Sequence, residues 1–331
     1  MNPRRRAVLA FGVGAAVCPA VPRAQPVRSG PPRVGLLSFG NPPGGPTLDP
    51  NIGLFEGLRD LGYVEGRNLV VEARYADGRF DRLAALAAEL VQRKVAVVVA
   101  GGPATIMAAR AATTTIPIVA IGGVDPVGEG WAQSLAHPGG NQTGLTVTFP
   151  GMGPKLLEVL KEARPGIVRA AAIGAAVEMG LRFDNPAWTE AARGLGLEMQ
   201  WLDVNSASDL EPALARAVQG RAQGLLAVAT NLIVSHRHTL AELAQRYRMP
   251  TISEFGLMAQ AGIMLSYGAD LVALSRRAAT YVDKILKGAR PGDLPIEQPT
   301  QFEFIVNLRT ARALGLALPA TTLQRADRII E

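Results

Sequence analysis

Arg33-Val34-Gly35-Leu36-Leu37-Ser38, followed by Leu48, Ile52, Phe55, Leu58 and Gly62 at helical spacing, decides the fold. The first stretch is an apolar run of the length a buried strand takes, and the second is one face of an amphipathic helix. The unit then repeats. Leu69–Ala73 reads as a strand and Leu83, Leu86 and Leu90 as a helical stripe; Val95–Ala100, a helix over 104–113 and a fourth strand at Ile118–Ile121 follow. Such alternation predicts a parallel sheet with helices on both faces.

Between 141 and 154 the pattern stops. Gly139-Gly140-Asn141, Gly144, Pro150-Gly151 and Gly153-Pro154 carry little periodicity and read as a connection. A second series begins with a helix over Lys155–Ala163 and continues with strands near Val168–Ile173, Glu198–Val204, Leu225–Ala229, Pro250–Ile252 and Ile263–Ser266. Helices near 185–195, 209–218, 235–247 and 255–260 separate them. A long helix over Leu271–Lys287, a connection through Pro291, Pro295 and Pro299, and a last strand near Phe302–Asn307 complete the chain. The expected fold class is α/β, two doubly wound parallel-sheet lobes joined by a hinge. The first lobe is expected to take 31–147 plus about 268–290, and the second 148–267 plus about 291–331.

The first 24 residues differ from the rest. A basic start at Arg4, Arg5 and Arg6 precedes an apolar run from Ala7 to Ala20 and a small-residue exit at Ala24, the layout of an export signal. A membrane anchor is the alternative, but about 20 apolar residues are needed to span a bilayer and this run is shorter and interrupted. Arg5-Arg6-Ala7-Val8-Leu9 also resembles a twin-arginine signal, so a periplasmic destination is expected. Cys18, the single cysteine, falls in this segment, where the preceding Ala15-Ala16-Val17 fits a lipid-attachment box poorly. Removing the segment's four arginines from 34 basic residues leaves 30 against 28 acidic ones, so a formal charge of +6 falls to about +2. No Lys/Arg-rich block interleaved with aromatics follows, and a nucleic-acid partner is not expected.

Catalytic constellations are sparse. The three histidines are His137, His236 and His238; the last two, two apart on an expected helix, diverge and read as a solvated helix start. No Gly-x-Ser-x-Gly turn marks a nucleophile, and no phosphate loop or dinucleotide fingerprint follows a strand. No catalytic residue, metal or cofactor is expected.

In parallel α/β sheets ligands sit beyond the carboxyl ends of the strands, so the strand-end loops are the candidate site. From the first lobe these are Ser38, Phe39, Asp77, Gly101, Gly102, Ala104, Thr105, Gly123 and Asp125; from the second, Ala175, Asn231, Glu254, Phe255 and Tyr267. Gly101-Gly102-Pro103-Ala104-Thr105 follows a strand and opens a helix. Its amides either hold an anion such as a carboxylate or serve only a tight turn. Asp125 either faces a ligand ammonium or accepts from turn amides, and Asp77 either reaches the ligand or caps the helix at Phe80. Phe255 or Tyr267 is expected to supply an aromatic wall, unless Tyr267 packs under the hinge. Asn141-Gln142-Thr143 matches a glycosylation acceptor but, beside an export signal of bacterial type, reads better as turn chemistry at the hinge.

Gly57-Leu58-Arg59-Asp60-Leu61-Gly62-Tyr63-Val64-Glu65-Gly66-Arg67-Asn68 resembles the substrate-binding proteins of ABC transporters, in the subgroup that includes tryptophan and other aromatic amino-acid binders. The likeness continues through Arg82–Val91, Thr115–Val119, Asp125–Gly128, Pro138–Leu145, Leu265–Gly268, Tyr281–Gly288 and Leu294–Thr300. It implies a type I periplasmic-binding-protein-like, hinge-closing receptor, a monomer that takes a small-molecule solute and delivers it to an ABC transporter membrane permease. Two departures stand out. Members of the family often carry an Asn-Pro-x-Asn-like turn where this chain has Ala175-Ala176-Val177-Glu178, and an arginine before Glu-Phe where it has Ser253. Two other functions remain open: an exported α/β enzyme, and a receptor that feeds a sensor protein.

Overall fold

The chain between 31 and 331 builds two sheets, each covered on both faces. A computed structural model describes residues 30–42, 51–123, 125–147, 151–179 and 186–331. The expected export signal over 1–24 with Cys18, Leu48, Pro150 and the helix start expected at 185 lie outside the described residues.

The first sheet holds β1 (Arg33–Ser38), β2 (Val70–Tyr75), β3 (Val97–Gly101), β4 (Ile118–Ile121) and β5 (Gln142–Leu145) in the order β2-β1-β3-β4-β5, every neighbouring pair parallel. Helices α1 (Ile52–Asp60), α2 (Phe80–Gln92) and α3 (Pro103–Ala112) make the crossovers. The α2 helix forms because Leu83, Leu86, Ala87 and Leu90 fall on one face and are buried together. Strand β5 corrects the reading of 141–154 as an irregular connection. Gln142 and Thr143 are polar yet buried, and the Thr143 hydroxyl donates to the Leu294 carbonyl at 2.7 Å. Gly144 is extended to φ +135°, and a Cβ there would overlap the Ala120 backbone. The glycine serves close strand packing rather than a turn.

The second sheet follows α4 (Met152–Ala163) and has the order β12-β11-β10-β9-β8-β6-β7. Its strands are β6 (Arg169–Gly174), β7 (Glu198–Asp203), β8 (Leu225–Ala227), β9 (Thr251–Ser253), β10 (Leu265–Gly268), β11 (Glu303–Asn307) and β12 (Arg328–Ile330). Among the described residues only β10 and β11 pair antiparallel. The helices in chain order are α5 (Ala176–Met179), α6 (Pro186–Gly194), α7 (Leu210–Gln219), α8 (Asn231–Ser235), α9 (Arg237–Arg246), α10 (Gly256–Gln260), α11 (Leu271–Leu286), α12 (Leu308–Ala313) and α13 (Ala320–Gln324). Two further corrections arise here. The helix expected over 235–247 is α9, and a short unexpected helix, α8, precedes it and meets it at His236, whose ψ of 24° interrupts the helical path. Strand β12 also extends the sheet beyond the strand expected to be last, parallel to β11.

Helix α11 returns to the first sheet. Its Ala278, Ala279, Tyr281, Val282 and Ile285 share a buried cluster with Val34, Leu36, Val97 and Val99. Asp270 starts it, its Oδ1 accepting the Val272 and Ala273 N–H groups at 2.9 and 3.1 Å. A different cluster passes from one sheet to the other: Leu37, Phe39, Ala100 and Ala104 belong to the same buried group as Ile173, Ala175, Leu232 and Ile233. The lobes therefore touch through apolar side chains.

Candidate functional site

Strand order identifies where the loops diverge. In the first sheet β1 has β2 on one side and β3 on the other, so the chain switches direction between β1 and β3; in the second sheet the switch falls between β6 and β8. Loops leaving the two strands at such a point turn to opposite faces and open a crevice. The loop after β3 is Gly101–Thr105, and the loops after β6 and β8 carry Glu178 and Asn231. These meet.

Asn231 makes the junction. Its Nδ2 donates to the Gly101 carbonyl at 2.7 Å, and its Oδ1 accepts the Ala104 N–H at 3.2 Å, so one carboxamide spans both sides of the turn that opens α3. Gly102 sits at φ +83°, and a Cβ there would overlap the Asn231 side chain. Both the backbone conformation and the close approach demand glycine. Thr105 is fully buried and turns its hydroxyl back onto the Gly101 and Gly102 carbonyls at 2.8 and 3.1 Å.

The loop that delivers Asn231 is held by carboxylates. Glu178, 1% exposed, accepts the Asn231 N–H at 2.6 Å on Oε2 and the Leu232 N–H at 2.9 Å on Oε1. Thr230 caps α8, accepting the Ile233 N–H at 3.4 Å, and Glu254 Oε2 accepts the Ala229 N–H at 2.8 Å. Burial pushes the Glu178 carboxyl up to about 7, opposed by the N–H groups of Leu232 and Asn231 that favour its charged form. Burial likewise pushes Glu254 up to about 7, opposed first by the Ala229 N–H. Glu178 is absent from the expected set. No local pattern marks it, because its partners lie more than fifty residues further along the chain.

The other expected residues are placed as follows. Ser38 ends β1 and Phe39 is buried against Phe80, ring centroids 4.7 Å apart. Asp77, at φ +53°, pairs with Arg82 and does not cap α2. Gly123, at φ +106°, faces Ile106. Asp125 is exposed, and its Oδ1 accepts the Val127 N–H of its own turn at 3.0 Å. Ala175 and Phe255 are buried in the cluster that joins the lobes, and Tyr267 stacks on Phe302 at 6.0 Å. His236 departs from the solvated placement expected of it. It is partly buried opposite Gly78 of the first lobe, its Nε2 3.1 Å from where a Cβ on Gly78 would lie, and burial lowers its pKa. Ser253, where the resemblance implies an arginine, is fully buried and donates to the Ala227 carbonyl at 2.6 Å.

A family model described as ABC transporter substrate binding protein matches residues 44–330. The chain belongs to the ABC transporter substrate-binding proteins. It is 26% identical over 272 residues to the tyrosine-binding protein of Clostridioides difficile strain R20291, covering 82% of this chain and 78% of that one. A conserved domain protein from Vibrio cholerae matches in structure with a TM-score of 0.82 at 25% identity, over 90% of this chain and 99% of the other. The ABC domain from Streptococcus pneumonia in complex with L-Trp matches with a TM-score of 0.81 at 22% identity, over 91% and 100%. As a member of this extracytoplasmic family, the substrate-binding protein is a solute receptor that works with a membrane permease. Among the described residues no helix is long and apolar enough to cross a membrane.

Proposed function

We propose that this substrate-binding protein is a monomeric periplasmic receptor, exported by residues 1–24 through the twin-arginine route, that closes on a small carboxylate-bearing solute such as an amino acid and releases it unaltered. The meeting of the two switch-point crevices at Gly101–Thr105 and Asn231 carries the reading. A ligand lodged in the crevice beside this junction touches both lobes, which is how binding is coupled to closure. The named ligands of two relatives, tyrosine and L-Trp, support an amino acid. In this reading Ser38 and Gly123 present polar groups from the first lobe, Glu254 acts from the second by holding the Ala229 amide, and Phe255 and Tyr267 contribute apolar surface.

Native mass spectrometry of gently purified full-length protein is the test, followed by titration calorimetry with L-tyrosine and L-tryptophan. A bound solute of amino-acid mass recovered chemically unchanged is expected. Absence of any bound solute together with no heat from either amino acid overturns the reading, and a solute recovered as a converted product points to an enzyme.

A further inference from the structure

The turn opening α3 presents an acceptor and a donor side by side, the Gly101 carbonyl and the Ala104 N–H. A carboxamide matches both, and Asn231 does so. A carboxylate in the same place satisfies only the N–H and sets its negative charge against the Gly101 carbonyl, where a carboxamide meets both. The turn is therefore made for an amide, and the protein supplies that amide from its other lobe.

We propose that the 228–232 loop is a built-in latch, in which Asn231 fills the start of α3 and favours lobe closure before any solute arrives, with Glu178 as the residue that positions it. The geometry supports a dedicated part rather than a chance contact. Glu178 fixes the Asn231 and Leu232 amides with both of its oxygens, Thr230 caps the helix that follows, and Glu254 fixes Ala229. Every anchor of the loop lies within the second lobe, so the loop keeps its shape when the lobes part. The Asn231 side chain makes the loop's hydrogen bonds to the first lobe, and Gly102 leaves the space it enters. A latch of this kind raises the binding-competent fraction and so tightens every solute by the same factor. The solute's carboxylate then binds elsewhere in the crevice.

The inference rests on the receptor reading only in that the lobes move, and it is tested without a ligand. Full-length protein carrying Cys18→Ser and spin labels at Arg67→Cys and Val218→Cys, both exposed and one in each lobe, is refolded from urea to strip bound solute. Interlobe distances are then measured by pulsed electron resonance. The parent protein should hold a closed population that Asn231→Ala reduces several-fold. Asn231→Asp should match the alanine variant, because the carboxylate meets the Gly101 carbonyl. Gly102→Ala expels the same side chain from the opposite lobe, so it should open the protein equally and add nothing in the Asn231→Ala background. Glu178→Gln, which keeps one acceptor, should lie between parent and Asn231→Ala. Distances unchanged in both Asn231→Ala and Gly102→Ala overturn the latch, as do effects of the two that simply add. Failure of the receptor reading appears separately, as no bound solute in mass spectrometry.

Discussion

The two lobes bring different materials to the same seam. The first contributes backbone: the Gly101 carbonyl, the Ala104 N–H and the space over Gly102, with Thr105 bonded back onto its own turn. The second contributes a side chain, Asn231, on a loop suspended from two enclosed carboxylates. A backbone surface is fixed by its strand and helix and needs little help to hold its shape. A reaching side chain is only as well placed as the loop beneath it, and the buried acids are the means of placing it. Stability and the seam are thus coupled in the second lobe and separate in the first.

The sharpest way to break this contrast is Glu178→Ala. It leaves the Asn231 and Leu232 N–H groups buried without an acceptor, at about 1–3 kcal/mol each, so a loss of about 2–5 kcal/mol is expected by urea unfolding near pH 5. A loss under about 1 kcal/mol means the loop does not hang on this acid.

The next effect is the pH dependence of the same group. Its folded-state pKa stands at about 7 against an ordinary 4.5, so the folded protein holds a proton that the unfolded chain releases. That contribution is fully present below about 4.5 and is lost as the pH rises through about 7. By this linkage parent stability falls by about 1–3 kcal/mol across that window, and Glu254 acts in the same direction. Glu178→Gln should flatten the fall measurably. A variant whose stability tracks the parent at every pH shows that Glu178 titrates normally.

How much of this is legible in the sequence follows from the range of each interaction. The alternation of apolar runs and helical stripes is local, so β1, α2, β3 and β6 stand out at once. Strand β5 does not, because Gln142 and Thr143 are buried by partners that arrive far later, including Leu294. The glycine pair at Gly101-Gly102 is conspicuous, since it falls between an apolar strand run and a helix, where backbone can come close to a partner. That Asn231 would occupy it is not legible, because the strand-end rule names the loop but not what a residue 130 positions away does there. Glu178 is hidden for the same reason. Ala175–Glu178 stands where the resemblance implies a polar turn, and in the structure Glu178, its last residue, turns its carboxylate inward onto the Asn231 and Leu232 N–H groups.

Asp125→Ala probes the weakest side of the contrast. The Asp125 carboxylate is exposed and engaged by the Val127 N–H of its own turn, so its removal costs one solvent-screened hydrogen bond. Thermal melting should report a loss of at most about 1 kcal/mol. Because the first lobe offers backbone to the seam, affinity for whichever amino acid calorimetry identifies should change by less than about twofold, roughly 0.4 kcal/mol. A tenfold loss of affinity, about 1.4 kcal/mol, would show that Asp125 leaves its turn to meet a ligand ammonium, and that the first lobe also recognises through a side chain.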